Sequence, residues 1–251
     1  MIYPSLTEIR ASYPVGKWEP LWTRLVLRPL SFPGAWLAVR LGFSANQVTL
    51  LSVLIVLLGG ALLGAGNKGL AIVGAIMFNI YAWLDCVDGH VARVRQEASC
   101  YGGWMDAFGG YVAYSCVLLT GGLAATHFYE TQVFFLTNLN FIFLGSLAAI
   151  ANLLMRVEYQ HFRCLQGQEA AEKIKSQKRI GANLGITGFL MPALLVSIMM
   201  GKLHWLILFY TMFYTCAWTA VTVRLVKLVQ KLQDNFVANK AGAKNENTSH
   251  C

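Results

Sequence analysis

The chain has 251 residues, of which 56% are hydrophobic and only 13% are charged, and its net charge is +8. Soluble domains average about 25% charged residues, and disordered chains are polar and poor in aromatic residues. The composition therefore excludes both classes and predicts an integral protein with one membrane domain. The six cysteines form no CxxC pair, so we expect neither a disulfide framework nor a zinc site.

An amphipathic segment precedes the first long apolar stretch. Residues 1–40 mix aromatic side chains such as Trp22 and Trp36 with basic ones such as Arg24 and Arg28. Aromatic rings at headgroup depth and arginines toward anionic lipid are typical of a helix that lies in the membrane interface. We therefore expect an interfacial amphipathic helix in this segment.

Six apolar segments follow, and a membrane-spanning helix needs about 20 such residues. In chain order they are Leu41–Asn67, Gly69–Leu84, Ala107–Tyr129, Thr131–Met155, Ile180–Gly201 and Leu203–Val223. The second is short, and it spans only if its helix continues through Asp85 and Asp88. The pattern predicts an all-α integral membrane protein with six transmembrane helices within residues 41–228. The polar tail, residues 229–251, is expected to be disordered.

The basic residues are distributed unevenly between the segments. Eighteen Lys and Arg lie in the termini and loops of one side, whereas only Lys68 and Lys202 lie on the other. Lys and Arg collect on the cytoplasmic side of membrane proteins, so both termini are predicted to be cytoplasmic. The positive charge thus indicates topology and contact with membrane lipids, and we expect no nucleic-acid partner.

Three of the four aspartates fall within 22 residues, where the second predicted helix ends and the third begins. Asp85 and Asp88 are three residues apart and share a helix face, and the next helix can point Asp106 at the same spot. Like charges at a membrane boundary repel unless a cation neutralises them, and oxygen-only clusters suit Mg²⁺ or Mn²⁺. For any single aspartate, a solvated helix end or a pair with a nearby arginine remains an alternative.

Seven residues in this region have a characteristic spacing. They are Asp85, Asp88, Gly89, Ala92, Arg93, Gly102 and Asp106. In this order they resemble seven of the eight fixed positions in the signature of the CDP-alcohol phosphotransferases, D-x2-D-G-x2-A-R-x8-G-x3-D-x3-D. The segment from Ala45 to Thr49, which contains Asn46, weakly resembles a shorter N-terminal motif of that family.

The resemblance implies an enzyme that transfers a substituted phosphate from a CDP-alcohol to an acceptor hydroxyl and releases CMP. It assigns a pair of Mg²⁺ or Mn²⁺ ions to the carboxylates and the nucleotide to their neighbours. The implied metal ligands are Asp85, Asp88 and Asp106, the last also catalytic, and the implied nucleotide-binding residues are Gly89, Arg93, Gly102 and Asn46. It also implies a homodimer with its active site at the cytoplasmic face, working in phospholipid or related polar-lipid synthesis.

The eighth position of the signature is an aspartate, taken in the family as the base that deprotonates the acceptor, but here it is Gly110. Three explanations are open. Another group on the same side, Glu158, His161 or Glu97, could take the role, with Glu158 the candidate catalytic residue. The acceptor could already be ionised near neutral pH. Alternatively, the chain is an impaired or non-catalytic member that binds CDP-alcohol and metal as a scaffold subunit, or an engineered variant. A transporter is less favoured, because the sequence lacks broken helices in paired halves.

Overall fold

The computed structural model describes residues 4–14, 18–97, 99–128, 138–175 and 183–248. Within these ranges the chain is helical and contains no strand, which confirms the all-α prediction. The helices are α1 (Leu6–Ala11), α2 (Arg28–Arg40), α3 (Ala45–Leu63), α4 (Lys68–Val94), α5 (Cys100–Phe128), α6 (Asn138–Lys175), α7 (Met191–Met199) and α8 (Leu203–Thr248), with π-helical turns at Thr23–Leu27 and Ile186–Leu190.

Five helical segments are long and apolar enough to cross a membrane, which supports a multi-pass membrane protein. They are Ala45–Leu63, Lys68–Val94, Cys100–Phe128, Asn140–Phe162 and Leu203–Lys231. Helix α4 continues through Asp85 and Asp88, as the second predicted span required. The remaining predicted span, Ile180–Gly201, corresponds to the shorter apolar helix Ile186–Met199, so the count of six spans stays a prediction.

The helices at the two ends of the chain differ from those expected from the sequence. At the N-terminus, residues 21–40 form one uninterrupted helical run in which the π-helical turn leads directly into α2, and a short helix, α1, precedes it; its position at an interface stays a prediction. At the C-terminus, α8 runs to Thr248 through the tail for which we expected disorder. That tail contains no proline before Thr248 and only one glycine, so nothing in it forbids a helix despite its polarity.

The helices pack closely where glycines face a neighbouring backbone. A Cβ atom at Gly74 of α4 would lie 2.5 Å from the carbonyl oxygen of Gly59 in α3. Between α5 and α6, a Cβ at Gly122 would lie 2.5 Å from the carbonyl oxygen of Phe141. Small residues at such contacts let membrane helices approach closely. Helix α4 occupies a central position, because α2, α3 and α7 all pack against it.

Three helix ends meet at one end of the molecule. Ser44 caps α3 through a reciprocal pair of bonds with Gln47. The turn between α4 and α5 contains Gln96, whose φ is +55°, followed by Glu97. The Glu97 carboxylate accepts a hydrogen bond from the backbone nitrogen of Ala45 at 3.0 Å, which ties this turn to the start of α3. The C-terminal end of α4 and the first turns of α3 and α5 therefore surround the motif residues.

Candidate active site

The second aspartate of the motif is fixed by helix α3. Asp88 is only 6% exposed, and the Thr49 hydroxyl donates a hydrogen bond of 2.7 Å to its Oδ2. Burial of a carboxylate is costly unless its oxygens are hydrogen-bonded, so this bond fixes the orientation of Asp88. The motif in α4 and the segment Ala45–Thr49 are thus brought together, as the sequence predicted.

The three motif carboxylates act on one another electrostatically. The charge of Asp106 acts on Asp85, and the charges of both act on Asp88. The cations of Arg28 and Arg156 act favourably on Asp85. Among the described residues, no three His, Cys, Asp or Glu side chains converge closely enough to form a ready metal site. The donor chemistry suits a hard divalent cation, but these side chains do not form a closed coordination shell by themselves.

Two glycines of the motif lie next to polar side chains. The three atoms nearest to a Cβ at Gly89 would belong to the guanidinium of Arg93, the closest of them at 3.5 Å. A Cβ at Gly102 would lie 3.4 Å from Asn46 Oδ1, so Asn46 and Gly102 are neighbours. The four residues to which the resemblance assigns the nucleotide therefore lie as two neighbouring pairs, Gly89 with Arg93 and Gly102 with Asn46, and their nucleotide-binding role stays a prediction.

The N-terminal segment reaches this site through a cluster of charged and aromatic side chains. The guanidiniums of Arg28 and Arg93 flank the two ring nitrogens of buried His90, each at 3.1 Å. Arg28 also pairs with Glu19 and stacks over the Tyr13 ring at 4.7 Å. Burial and the Glu19 carboxylate raise the pKa of the Tyr13 hydroxyl. This cluster connects Arg93, through His90 and Tyr13, to the N-terminal segment.

Position 110 faces a cation. Gly110 lies one turn after Asp106 on α5, and a Cβ there would lie 3.9 Å from Nη1 of Arg156 on α6. The Arg156 Nε donates to Asn152 Oδ1 at 3.1 Å, and its guanidinium carbon lies 3.9 Å from the centre of the Tyr114 ring. The guanidinium of Arg156 therefore faces the position at which the family signature has a carboxylate.

The three groups proposed to replace the missing base have other neighbours. Glu158 accepts hydrogen bonds from Trp218 Nε1 at 2.9 Å and Thr222 Oγ1 at 2.7 Å, both on α8. With His161 it lines a mostly apolar groove of about 510 Å³ between α6 and α8. Glu97 binds the start of α3. None is among the principal charges that act on Asp85 and Asp88, and the catalytic role of Glu158 stays a prediction.

No role at the site was predicted for Thr49, Asn152, Tyr114 or Arg28, although Thr49 ends the segment that resembles the N-terminal motif. A signal for one of them was present, since Asn152 and Arg156 are four residues apart and share a helix face. Thr49 follows Asn46 by three residues, which also puts it on the face that turns toward the motif. For Arg28 no local signal exists, because its contact with His90 joins residues 62 positions apart.

Comparisons with known proteins support a lipid-synthesising transferase at a coarse level. Residues 38–140 match a family model described as ceramide phosphoethanolamine synthase. The chain is also 35% identical over 82 residues to archaetidylinositol phosphate synthase of Pyrococcus horikoshii. That match covers 33% of this chain and 42% of the relative, so less than half of the relative's length is aligned. The family match contains the whole aspartate motif and Gly110 but neither Arg28 nor Arg156. The expected relation to phospholipid-synthesising transferases is confirmed at this coarser level.

Proposed function

We propose that this protein transfers a substituted phosphate group from a CDP-alcohol to an acceptor hydroxyl, with release of CMP, in phospholipid or related polar-lipid synthesis. The observation that carries the proposal is the position of the motif, with Asp85 and Asp88 near the C-terminal end of α4, Asp88 held by Thr49, and Asp106 near the start of α5. The polar groups beside the motif glycines, Arg93 next to Gly89 and Asn46 next to Gly102, support a nucleotide at the same place.

The three aspartates would hold Mg²⁺ or Mn²⁺ together with the donor diphosphate. Such an ion, when bound, would supply neutralisation of the charge on the diphosphate and on the leaving CMP, on which, with positioning, phosphoryl transfer mainly depends. Thr49 keeps Asp88 in a fixed orientation. Arg93, which lies over Gly89, would contact the donor phosphates from the other side. A second metal ion would have one ligand fewer here, because position 110 is glycine.

The substrates are defined by class. The names of the two matched synthases combine a lipid portion with a phosphate-bearing head group, ceramide phosphoethanolamine in one and archaetidylinositol phosphate in the other. The proposed substrates are therefore a CDP-alcohol and an alcohol acceptor, one of which is a lipid. The basic residues around the site, among them Arg28, Arg93 and Arg95, favour a position at the cytoplasmic face. A homodimer is proposed by family resemblance alone.

The proposal is tested by CMP release from the purified protein in lipid vesicles. The donor panel contains CDP-ethanolamine, CDP-choline and CDP-diacylglycerol, each with ceramide, diacylglycerol, inositol phosphate and glycerol phosphate as acceptors. We expect CMP only with Mg²⁺ or Mn²⁺, and we expect its loss in Asp85→Asn and Asp106→Asn. Asp234→Asn, which changes the fourth aspartate of the chain, is the matched control and should keep its activity. Metal-independent release, or none from a folded protein across the panel, contradicts the proposal.

A second candidate function is that of a non-catalytic subunit that binds CDP-alcohol and metal. The glycine at the position of the family base favours it, because general-base assistance contributes about 10²–10⁴-fold to rate. In this case CDP-alcohol with Mg²⁺ raises the melting temperature of the protein, since a ligand that binds only the folded state stabilises it. The same preparation then releases no CMP. Turnover in the vesicle assay would contradict this alternative.

A further inference from the structure

Arg156 has no part in the chemistry described so far, although it lies at the edge of the site. Its guanidinium faces Gly110, one helical turn beyond Asp106. A hydrogen bond from Nε to Asn152 and stacking on Tyr114 hold it from two sides. A planar cation held in this way has few alternative positions, so little freedom is lost when it binds an anion.

The end of the Arg156 side chain is available for such binding. Its terminal nitrogens make no hydrogen bond or ion pair to the residues that the structure describes. The absence of a side chain at Gly110 leaves the space in front of Nη1 open. The charge of Arg156 also acts on Asp85, so the guanidinium lies within electrostatic reach of the metal site.

We propose that Arg156 is a catalytic residue that stabilises the ionised acceptor oxygen in the space left by Gly110. This role rests on the proposed function, and in it Arg156 replaces the base that the family signature has at position 110. A carboxylate at this position would activate the acceptor by removing its proton. A guanidinium favours the same oxyanion by binding it once the proton has gone to water.

The reaction balances without another reactant. The acceptor hydroxyl releases its proton to water at the mouth of the site, and its oxygen is held by Arg156. This oxygen attacks the phosphorus that carries the donor alcohol and forms a new P–O bond. The P–O bond to the CMP phosphate breaks, and CMP leaves with the bonding electron pair. The products are a phosphodiester, CMP and one proton.

General-base catalysis and oxyanion stabilisation change reaction rates by similar factors, so a guanidinium can take the place of the missing carboxylate. A general base contributes about 10²–10⁴-fold to rate. Loss of a single donor to a developing oxyanion costs about 10²–10³-fold in kcat. One well-placed guanidinium can therefore offset much of what the missing carboxylate would contribute.

The test compares Arg156→Gln, Arg156→Lys, Gly110→Asp and the double variant Gly110→Asp/Arg156→Gln with the wild type. CMP release is measured from pH 6 to 9.5 with both substrates varied, so that kcat and KM are obtained separately. Lys227→Gln, which removes an exposed positive charge on α8, is the matched control and should equal the wild type. Melting temperature in detergent is recorded for every variant as the control for folding.

We expect Arg156→Gln to lower kcat by about 10²–10³-fold, with little change in the KM of the donor. The loss should be smallest at high pH, where the acceptor ionises without help, and Arg156→Lys should keep part of the rate. In the double variant the introduced carboxylate acts as a base, so kcat should rise about tenfold or more above that of Arg156→Gln alone. Gly110→Asp alone should lower kcat, because the new carboxylate pairs with Arg156.

Four results would overturn the inference while leaving the proposed function intact. They are a kcat of Arg156→Gln within threefold of the wild type, a loss confined to the KM of one substrate, no recovery in the double variant, and a rate increase in Gly110→Asp. A defect in KM alone would mean that Arg156 binds a permanently anionic group and does not stabilise the attacking oxygen.

If Arg156→Gln does not fold, the rate of Gly110→Asp decides between the outcomes, since a Cβ at position 110 makes only ordinary contact. A wild type that releases no CMP contradicts the proposed function itself.

Discussion

The hydroxyl of Thr49 is the only side-chain group for which a hydrogen bond to Asp88 is seen in the described part of the chain. Thr49→Val keeps the shape of this side chain but removes the bond. Partners of metal ligands commonly contribute 10–100-fold to metal affinity. We therefore expect the metal concentration for half-maximal CMP release to rise by about 10–100-fold. Thr49→Ser should stay near the wild type, and equal metal requirements in both variants would contradict the role of the hydroxyl.

The glycine beside Arg93 allows the proposed nucleotide site to be tested separately. A methyl group at Gly89 makes only ordinary contacts within the protein, so Gly89→Ala should fold with an unchanged melting temperature. It would, however, occupy space assigned to the donor. The expected result is a raised KM for the CDP-alcohol, measured beside an unchanged KM for the acceptor. An unchanged donor KM would show that the nucleotide lies elsewhere.

The residues that were predicted from sequence are those whose roles depend on local spacing. Asp85 and Asp88 share a helix face because they are three positions apart, and the family signature adds Gly102 and Asp106. Arg28 and Arg156 could not be placed in this way. Their contacts with the site join separate helices, and such contacts depend on how the helices pack.

Helix pairing through glycine is the main feature at the level of the elements. Gly122 of α5 and Gly145 of α6 face each other, and a Cβ on either would lie 2.5 Å from a backbone oxygen of the other helix. Gly122→Ala should therefore force α5 and α6 apart. Overpacking of this kind costs about 1–3 kcal/mol in the free energy of unfolding, so the melting temperature should fall by several degrees. Gly103→Ala is the matched control, because a Cβ there meets nothing within 4 Å. Equal melting temperatures of the two variants would contradict close packing of these helices.

The N-terminal segment acts as a brace on the end of α4. Its Arg28 links Glu19, Tyr13 and His90, and α2 packs along the same helix. Because Arg28 is largely shielded from water, Arg28→Ala leaves the Glu19 carboxylate without this cation, a change that commonly costs several kcal/mol. We expect a lower melting temperature and a raised donor KM, since Arg93 loses its support. Arg24→Ala, a change at an exposed position in the same segment, is the control and should have neither effect.

Element boundaries were predicted best where composition changes sharply. The extension of α4 through Asp85 and Asp88 followed from the need for about 20 residues to cross the membrane. The helical end of α8 was not predicted, because low hydropathy alone does not distinguish a solvated helix from a disordered tail. The start of α5 at Cys100, seven residues before the predicted span, was missed for the same reason, since polar residues can extend a membrane helix into water.

The topology of the whole molecule depends on whether α7 crosses the membrane. With that crossing the number of spans is even, and both termini lie on the cytoplasmic side, as the distribution of Lys and Arg predicts. Reporter tags at each terminus and in the turn at Lys68 would measure this in intact vesicles. The two terminal tags should lie on the cytoplasmic side, and the tag in the turn at Lys68 should lie on the opposite side. A C-terminal tag on the opposite side would mean that only the five long helices cross.

The short apolar helix Ile186–Met199 also has a consequence for the surrounding lipid. At 1.5 Å per residue it covers about 20 Å, whereas the hydrocarbon layer is about 30 Å thick. Exposed apolar side chains at its end, among them Val196 and Met199, are not covered by the part of the chain that the structure describes. If this helix crosses the membrane, hydrophobic mismatch on this flank would favour local thinning of the bilayer and therefore thinner membranes.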